Sequence, residues 1–148
     1  FRTTQAHEIW RNHGDWIENR RPEFGPGVRE RFEWARRVSS DREAVARAWA
    51  LHGEIREHVR AIAAERLLVL PTVPAVAPLC ATPVAELEIY RNRALSILCI
   101  AGIAGLPQVT LPLVRHEGCP LGLSIIGPAG SDLALIRLAG EIAAVELA

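Results

Sequence analysis

A chain of 148 residues, 49% hydrophobic and 23% charged, is long enough for one domain with a real core and too apolar for disorder. Its 17 basic and 17 acidic residues cancel, so charge offers no case for nucleic acid or an anionic membrane as a partner. Every basic residue is Arg, and the absence of Lys removes amine-base and Schiff-base chemistry from the chain itself.

Charge divides the sequence near Arg66. Residues 1–66 hold most of the Arg and all 4 Trp and read mainly as surface helices; residues 67–148 are apolar and read as core strands and helices. In chain order, Thr3 or Thr4 is expected to cap a first helix whose His7, Ile9, Trp10, His13 and Ile17 share one face. The Pro- and Gly-rich residues 21–27 stop it. A short helix over 28–38 should bury Val28, Phe32 and Ala35. Ser40 and Glu43 match a capping box. It opens a long helix to about Ala64 with Ala48, Leu51, Ile55, Val59 and Ile62 facing inward.

Residues 67–70 read as a short, fully apolar strand, followed by a loop over 71–78 that its prolines stiffen. Thr82 and Pro83 look like the cap and first position of a helix that becomes more apolar towards Ala104. Gly105-Leu106-Pro107 ends it. Residues 108–114 and 121–126 read as an antiparallel hairpin across a polar loop, covered on both faces because neither run alternates. A last helix over 133–147 is capped by Ser131 or Asp132. Three two-sided strands cannot close a sheet of their own. The pattern fits the later part of a larger α/β domain whose other strands lie upstream, or a chain that pairs with another copy as a homodimer.

Little in the residues declares chemistry. His7 and His13, like His52 and His58, are six apart and fall on opposed sides of a helix, and no HExxH or paired CxxC exists, so no metal site is expected. Cys80, Cys99 and Cys119 read as reduced, mostly buried small hydrophobes of a cytoplasmic protein. Ser124 in Gly122-Leu123-Ser124-Ile125-Ile126-Gly127 misses the nucleophile-elbow spacing by one residue and sits inside a strand, where a core or cross-strand hydroxyl is the plainer reading. Residues 127–132 lack the Lys of a P-loop and read as a helix cap. The Arg-rich face of residues 29–60 is interleaved with acids, which marks a solvated ion-pair surface; Arg31 there is a surface ion pair or a contact to a polar substrate end.

Resemblance goes further. AGIAGLPQVTLPL followed by CPLGLSIIGPAGSD, with ERLLVLPTVPAVAP upstream, resembles the closing region of the amidase signature family. More narrowly, NHGDWIENRRPEFGPGVRERFEWA and RNRALSILCIAGIAG resemble plant-type amidases that hydrolyse indole-3-acetamide and their bacterial relatives. The resemblance implies that residues 1–148 are the C-terminal portion of a single amidase domain. It implies an α/β fold whose mixed β-sheet is flanked by helices on both faces.

The implied reaction is hydrolysis of the C–N bond of a small carboxamide, such as an aryl- or alkylacetamide, to carboxylate and ammonia. In that family a Ser attacks the carbonyl, a second Ser on a cis peptide bond relays its proton to a Lys, and backbone amides hold the oxyanion. With no Lys and no Gly-Ser-Ser stretch here, no catalytic residue maps onto this chain; that set belongs upstream and the isolated piece is expected to be inactive. What this part would supply is pocket wall: Thr72, Val73 and Pro74 on the stiff loop, and Ile100, Ile103 and Leu106 around the Gly-Leu-Pro turn, although core packing explains each as well. The expected partners are a small-molecule amide and the upstream part of its own chain, with no cofactor, metal, nucleic acid or membrane. Two alternatives stand beside this: a non-catalytic amidase-like receptor module, as in a chloroplast import receptor, and the glutamine-hydrolysing subunit of a transamidosome.

Overall fold

The computed structural model describes residues 1–25 and 27–146. The chain divides into two compact units, Phe1–Ile55 and Arg56–Ala148.

In the first unit, α1 (Arg2–Arg20) pairs with α2 (Val28–Ser40), and α3 (Arg42–Ala63) follows, its residues from Arg56 onward belonging to the second unit. Fully buried positions on the paired helices carry small side chains, Ala6 and Gly14 on α1 and Ala35 on α2, which lets two helices approach closely. A Cβ on Gly14 would lie 2.9 Å from Trp10 Cε2, so the missing side chain makes room for the indole.

Four local expectations need correction here. Thr3 and Thr4 already lie inside the first turn, and the Thr4 hydroxyl donates back to the Phe1 carbonyl at 2.8 Å instead of capping the helix. Asp41, not Ser40, caps α3: its Oδ1 accepts from the Ala44 amide at 2.9 Å, while Ser40 still belongs to α2 and donates to the Arg37 carbonyl. Val28 is 44% exposed because it sits in the first turn of α2, whereas Ala35 is buried as expected and Phe32 half-buried. The α3 stripe is mostly uncovered: Leu51, Ile55 and Ile62 are exposed, and Val45 and Ala63 are the buried positions. Periodicity identifies an apolar face but does not say whether anything lies on it.

The second unit holds β1 (Leu68–Pro71), α4 (Val84–Ala104), β2 (Gln108–His116), β3 (Cys119–Ile126) and α5 (Asp132–Glu146). The expected α/β class stands. The three strands pair in the order β1-β3-β2, antiparallel throughout, with the last strand in sequence at the centre. The hairpin is tighter than the expected six-residue loop, since both strands run to a two-residue turn at Glu117 and Gly118, each with positive φ. Between Leu111 and Val114 the pairing slips by one residue. Pro112 cannot donate to the ladder, which makes this the natural place for a bulge.

Adjacent residues of β3 point to opposite faces, and each face has its own helix layer. On one side Ile126 packs with Ala63 of α3, Ala101 and Ala104 of α4, and Leu106. On the other, Ile125 and Leu111 pack with Leu135 and Ala139 of α5. Helices therefore cover both faces of the hairpin, as its unbroken apolar runs require.

At the start of α4, Pro83 takes the cap position with ψ of 144°, one residue later than expected, because that angle is not helical. Its other end is a Schellman turn. Gly105 adopts φ 59°, its amide reaches the Gly102 carbonyl, and the Leu106 amide reaches Ala101 at 3.0 Å. Leu147, expected at the end of the last helix, lies outside the described residues.

Candidate functional site

Two segments frame the region that the sequence marks as pocket wall. The proline-rich loop leaves β1 at Pro71, and the Gly105-Leu106-Pro107 turn joins α4 to β2. Thr72 is the hinge of the first. Its amide donates to the Gly122 carbonyl at 2.8 Å, extending the β1–β3 ladder by one bond, and its Oγ1 lies 2.7 Å from Ser124 Oγ. The Tyr90 hydroxyl of α4 donates to the Ala75 carbonyl at 3.2 Å and holds the loop further along. Pro107 anchors the second segment, its carbonyl accepting from the Gly127 amide at 3.1 Å.

Around Ser124 a small polar cluster replaces the apolar core. Gln108 Nε2 donates to Ser124 Oγ at 2.8 Å, and Thr110 Oγ1 lies 3.1 Å away. Register explains the gathering: Ser124 faces Leu70 on one side and Thr110 on the other, so side chains of three strands meet on one face. Gly122 shares that face, and a Cβ there would come within 2.6 Å of Thr72 Oγ1 and 2.8 Å of Thr110 Cγ2. The strand glycine is what allows those two side chains to close in.

Of the six expected pocket residues, Thr72 enters this polar cluster, while Ile100 and Leu106 pack together around Ile126. Val73 is half-buried and Pro74 exposed on the loop; Ile103 is 5% exposed on α4. Gln108 is a member of the cluster that sequence reasoning left out, and Ser124 was singled out there only as a hydroxyl inside a strand. The signal was a pair of polar residues inside otherwise apolar strands. Cys80 and Cys119 are exposed rather than buried, because one sits in the turn just past the proline-rich loop and the other is the first residue of β3 after the hairpin turn. Among the described residues no group of three His, Cys, Asp or Glu could hold a metal, and no helix is long and apolar enough to cross a membrane.

A separate groove of about 650 Å³ belongs to the first unit alone. The turn after α1 folds Phe24 back onto Phe32, with ring centroids 4.7 Å apart, and Trp10 and Ile17 complete an apolar floor. Arg36 lies over the Trp10 ring and pairs with Glu18 at 3.1 Å on its rim. None of the six expected residues lines it.

Comparison with known proteins decides the family. A family model described as Amidase matches residues 5–136. The chain belongs to the amidase family. It is 41% identical over 145 residues to Amidase 1 of Arabidopsis thaliana, covering 97% of this chain and 34% of that protein. It is also 37% identical to Outer envelope protein 64, chloroplastic, of Arabidopsis thaliana, covering 89% of this chain and 22% of that one. A crystal structure of an amidase superposes with a TM-score of 0.72 at 24% identity, over 94% of this chain and 33% of that one, which establishes the fold. This amidase-family chain thus spans about a third of the length of the amidases it matches.

Proposed function

We propose that this chain is the C-terminal portion of an amidase that hydrolyses the C–N bond of a small carboxamide, with an aryl- or alkylacetamide as the favoured class. The observation that carries the reading is the similarity to Amidase 1 along nearly the whole chain. The described residues contain no Lys, so the Ser, cis-Ser and Lys of the family reaction belong to another part of the protein. This portion supplies wall and support. The proline-rich loop with Thr72, Val73 and Pro74 and the turn beside Ile100, Ile103 and Leu106 form an apolar boundary for the substrate's non-reacting end. Binding energy collected there orients the carbonyl for attack elsewhere.

Ammonia release tests the reading. The full-length protein containing this chain should liberate ammonia from arylacetamides, and the purified 148-residue chain should not. Turnover by the isolated chain, insensitive to a serine-directed inactivator, would overturn the assignment of the catalytic set.

The similarity to an outer envelope protein favours a second reading, in which the same fold serves as a non-catalytic binding module. A full-length protein that folds, yet releases no ammonia from any aryl- or alkylacetamide, would move the assignment there.

A further inference from the structure

We propose that Ser124 is a positioning residue whose hydroxyl fixes the proline-rich loop and the Gly-Leu-Pro turn against each other and so sets the selectivity of the pocket wall they form. The inference rests on the reading of those segments as substrate wall and adds the group that holds them.

Three features carry it. Ser124 is 0% exposed on the central strand, so it touches no substrate and can act only through neighbours. Its partners come from both walls. Thr72, 2.7 Å away, is the first residue beyond β1, and Gln108, at 2.8 Å, is the first residue beyond the Gly-Leu-Pro turn. Thr110 at 3.1 Å completes the set.

A hydroxyl has one proton and two lone pairs, and here all three are engaged. Gln108 fills one lone pair; one threonine hydroxyl donates to the other lone pair, and the remaining threonine accepts the serine proton. Losing Ser124 Oγ therefore removes a hydrogen-bond partner from Thr72 on one segment and from Gln108 on the other at once. Gly122 adds confinement, since the room for a Cβ there is already taken by Thr72 and Thr110.

The experiment uses the full-length protein that contains this chain. Ser124→Ala, Thr72→Val and the double variant are compared with wild type on an arylacetamide and a short aliphatic amide, with KM and kcat measured separately. Ser124→Ala should raise KM for the arylacetamide roughly five- to tenfold. The aliphatic amide should shift less, and kcat should stay within about twofold. If Ser124 acts through Thr72, the double variant is little worse than either single one. A purely structural hydroxyl would lower activity on both amides alike, which overturns the proposal.

Hydrogen exchange supplies a readout that needs no turnover. Ser124→Ala should speed exchange over residues 72–80 about tenfold or more, while peptides from α5 keep their protection. A wild-type protein without amidase activity sinks the functional reading alone; unchanged exchange over 72–80 sinks the positioning role. Should Ser124→Ala not fold, Thr72→Val carries the same test, because it leaves Ser124 two partners and unties only the loop.

Discussion

Arg60, near the end of α3, donates from Nη1 to the carbonyl oxygen of Ala104 at 2.9 Å across 44 positions of sequence. Ala104 is the last residue of α4, where carbonyls lack intrahelical partners and the helix dipole is negative. A guanidinium is well matched to that end. Arg60→Met should lower stability by about 1–2 kcal/mol. The check is the urea midpoint at constant m-value, with Arg60→Lys recovering part of the loss.

Two glycines of the same turn should respond in opposite directions. Gly105 sits at φ 59°, where any side chain is strained, so Gly105→Ala should cost about 1–2 kcal/mol although its nearest non-local atom is 3.6 Å from the new methyl. Gly102 is helical and a Cβ there meets nothing within 4 Å. Gly102→Ala should stabilise by up to about 1 kcal/mol, and thermal melts of the two variants should bracket wild type.

Gly122→Ala tests the close approach of Thr72 and Thr110. The added methyl must displace a hydroxyl 2.6 Å away, and the expected loss is about 1–3 kcal/mol. Crystallography of the variant should find the Thr72 side chain moved. A variant as stable as wild type, with Thr72 in place, would contradict the packing described.

The capping frame of α3 makes a similarly sharp distinction. Asp41→Ala should cost about 1 kcal/mol, while Ser40→Ala should stay within about 0.5 kcal/mol. Reversed magnitudes in denaturant titrations would restore the frame expected from the sequence.

Much of the second unit was legible. Gly105-Leu106-Pro107 announced the helix end because Gly supplies the left-handed angle and Pro cannot continue the turn. The hairpin strands were visible as apolar runs, and Ser124 was correctly read as a core or cross-strand hydroxyl. The bulge at Pro112 was not, since strands covered on both faces carry no alternation that could reveal a slip. Caps were misplaced by one residue at Asp41 and Pro83, where neighbouring residues could each have served. Thr72 and Ser124 are 52 apart, and no local pattern joins them. The groove beneath Trp10 depends on Phe24 folding back on Phe32, a tertiary event behind a turn that composition marks only as a break.

The strand order has a bearing on how the chain comes off the ribosome. β3 is the partner of both other strands, yet it is the last of the three to be made. At about 5–20 residues per second, β1 waits on the order of seconds for its only described partner to emerge. During that interval the hairpin does not exist, and the apolar Leu-Val-Leu strand lacks its one partner among the described residues. Once β2 and β3 have zipped through their short turn, the remaining step is a single long closure that brings β1 home. Nascent chains stalled just before Cys119 should therefore bind chaperones that recognise extended apolar segments, and chains released beyond Ile126 should escape them.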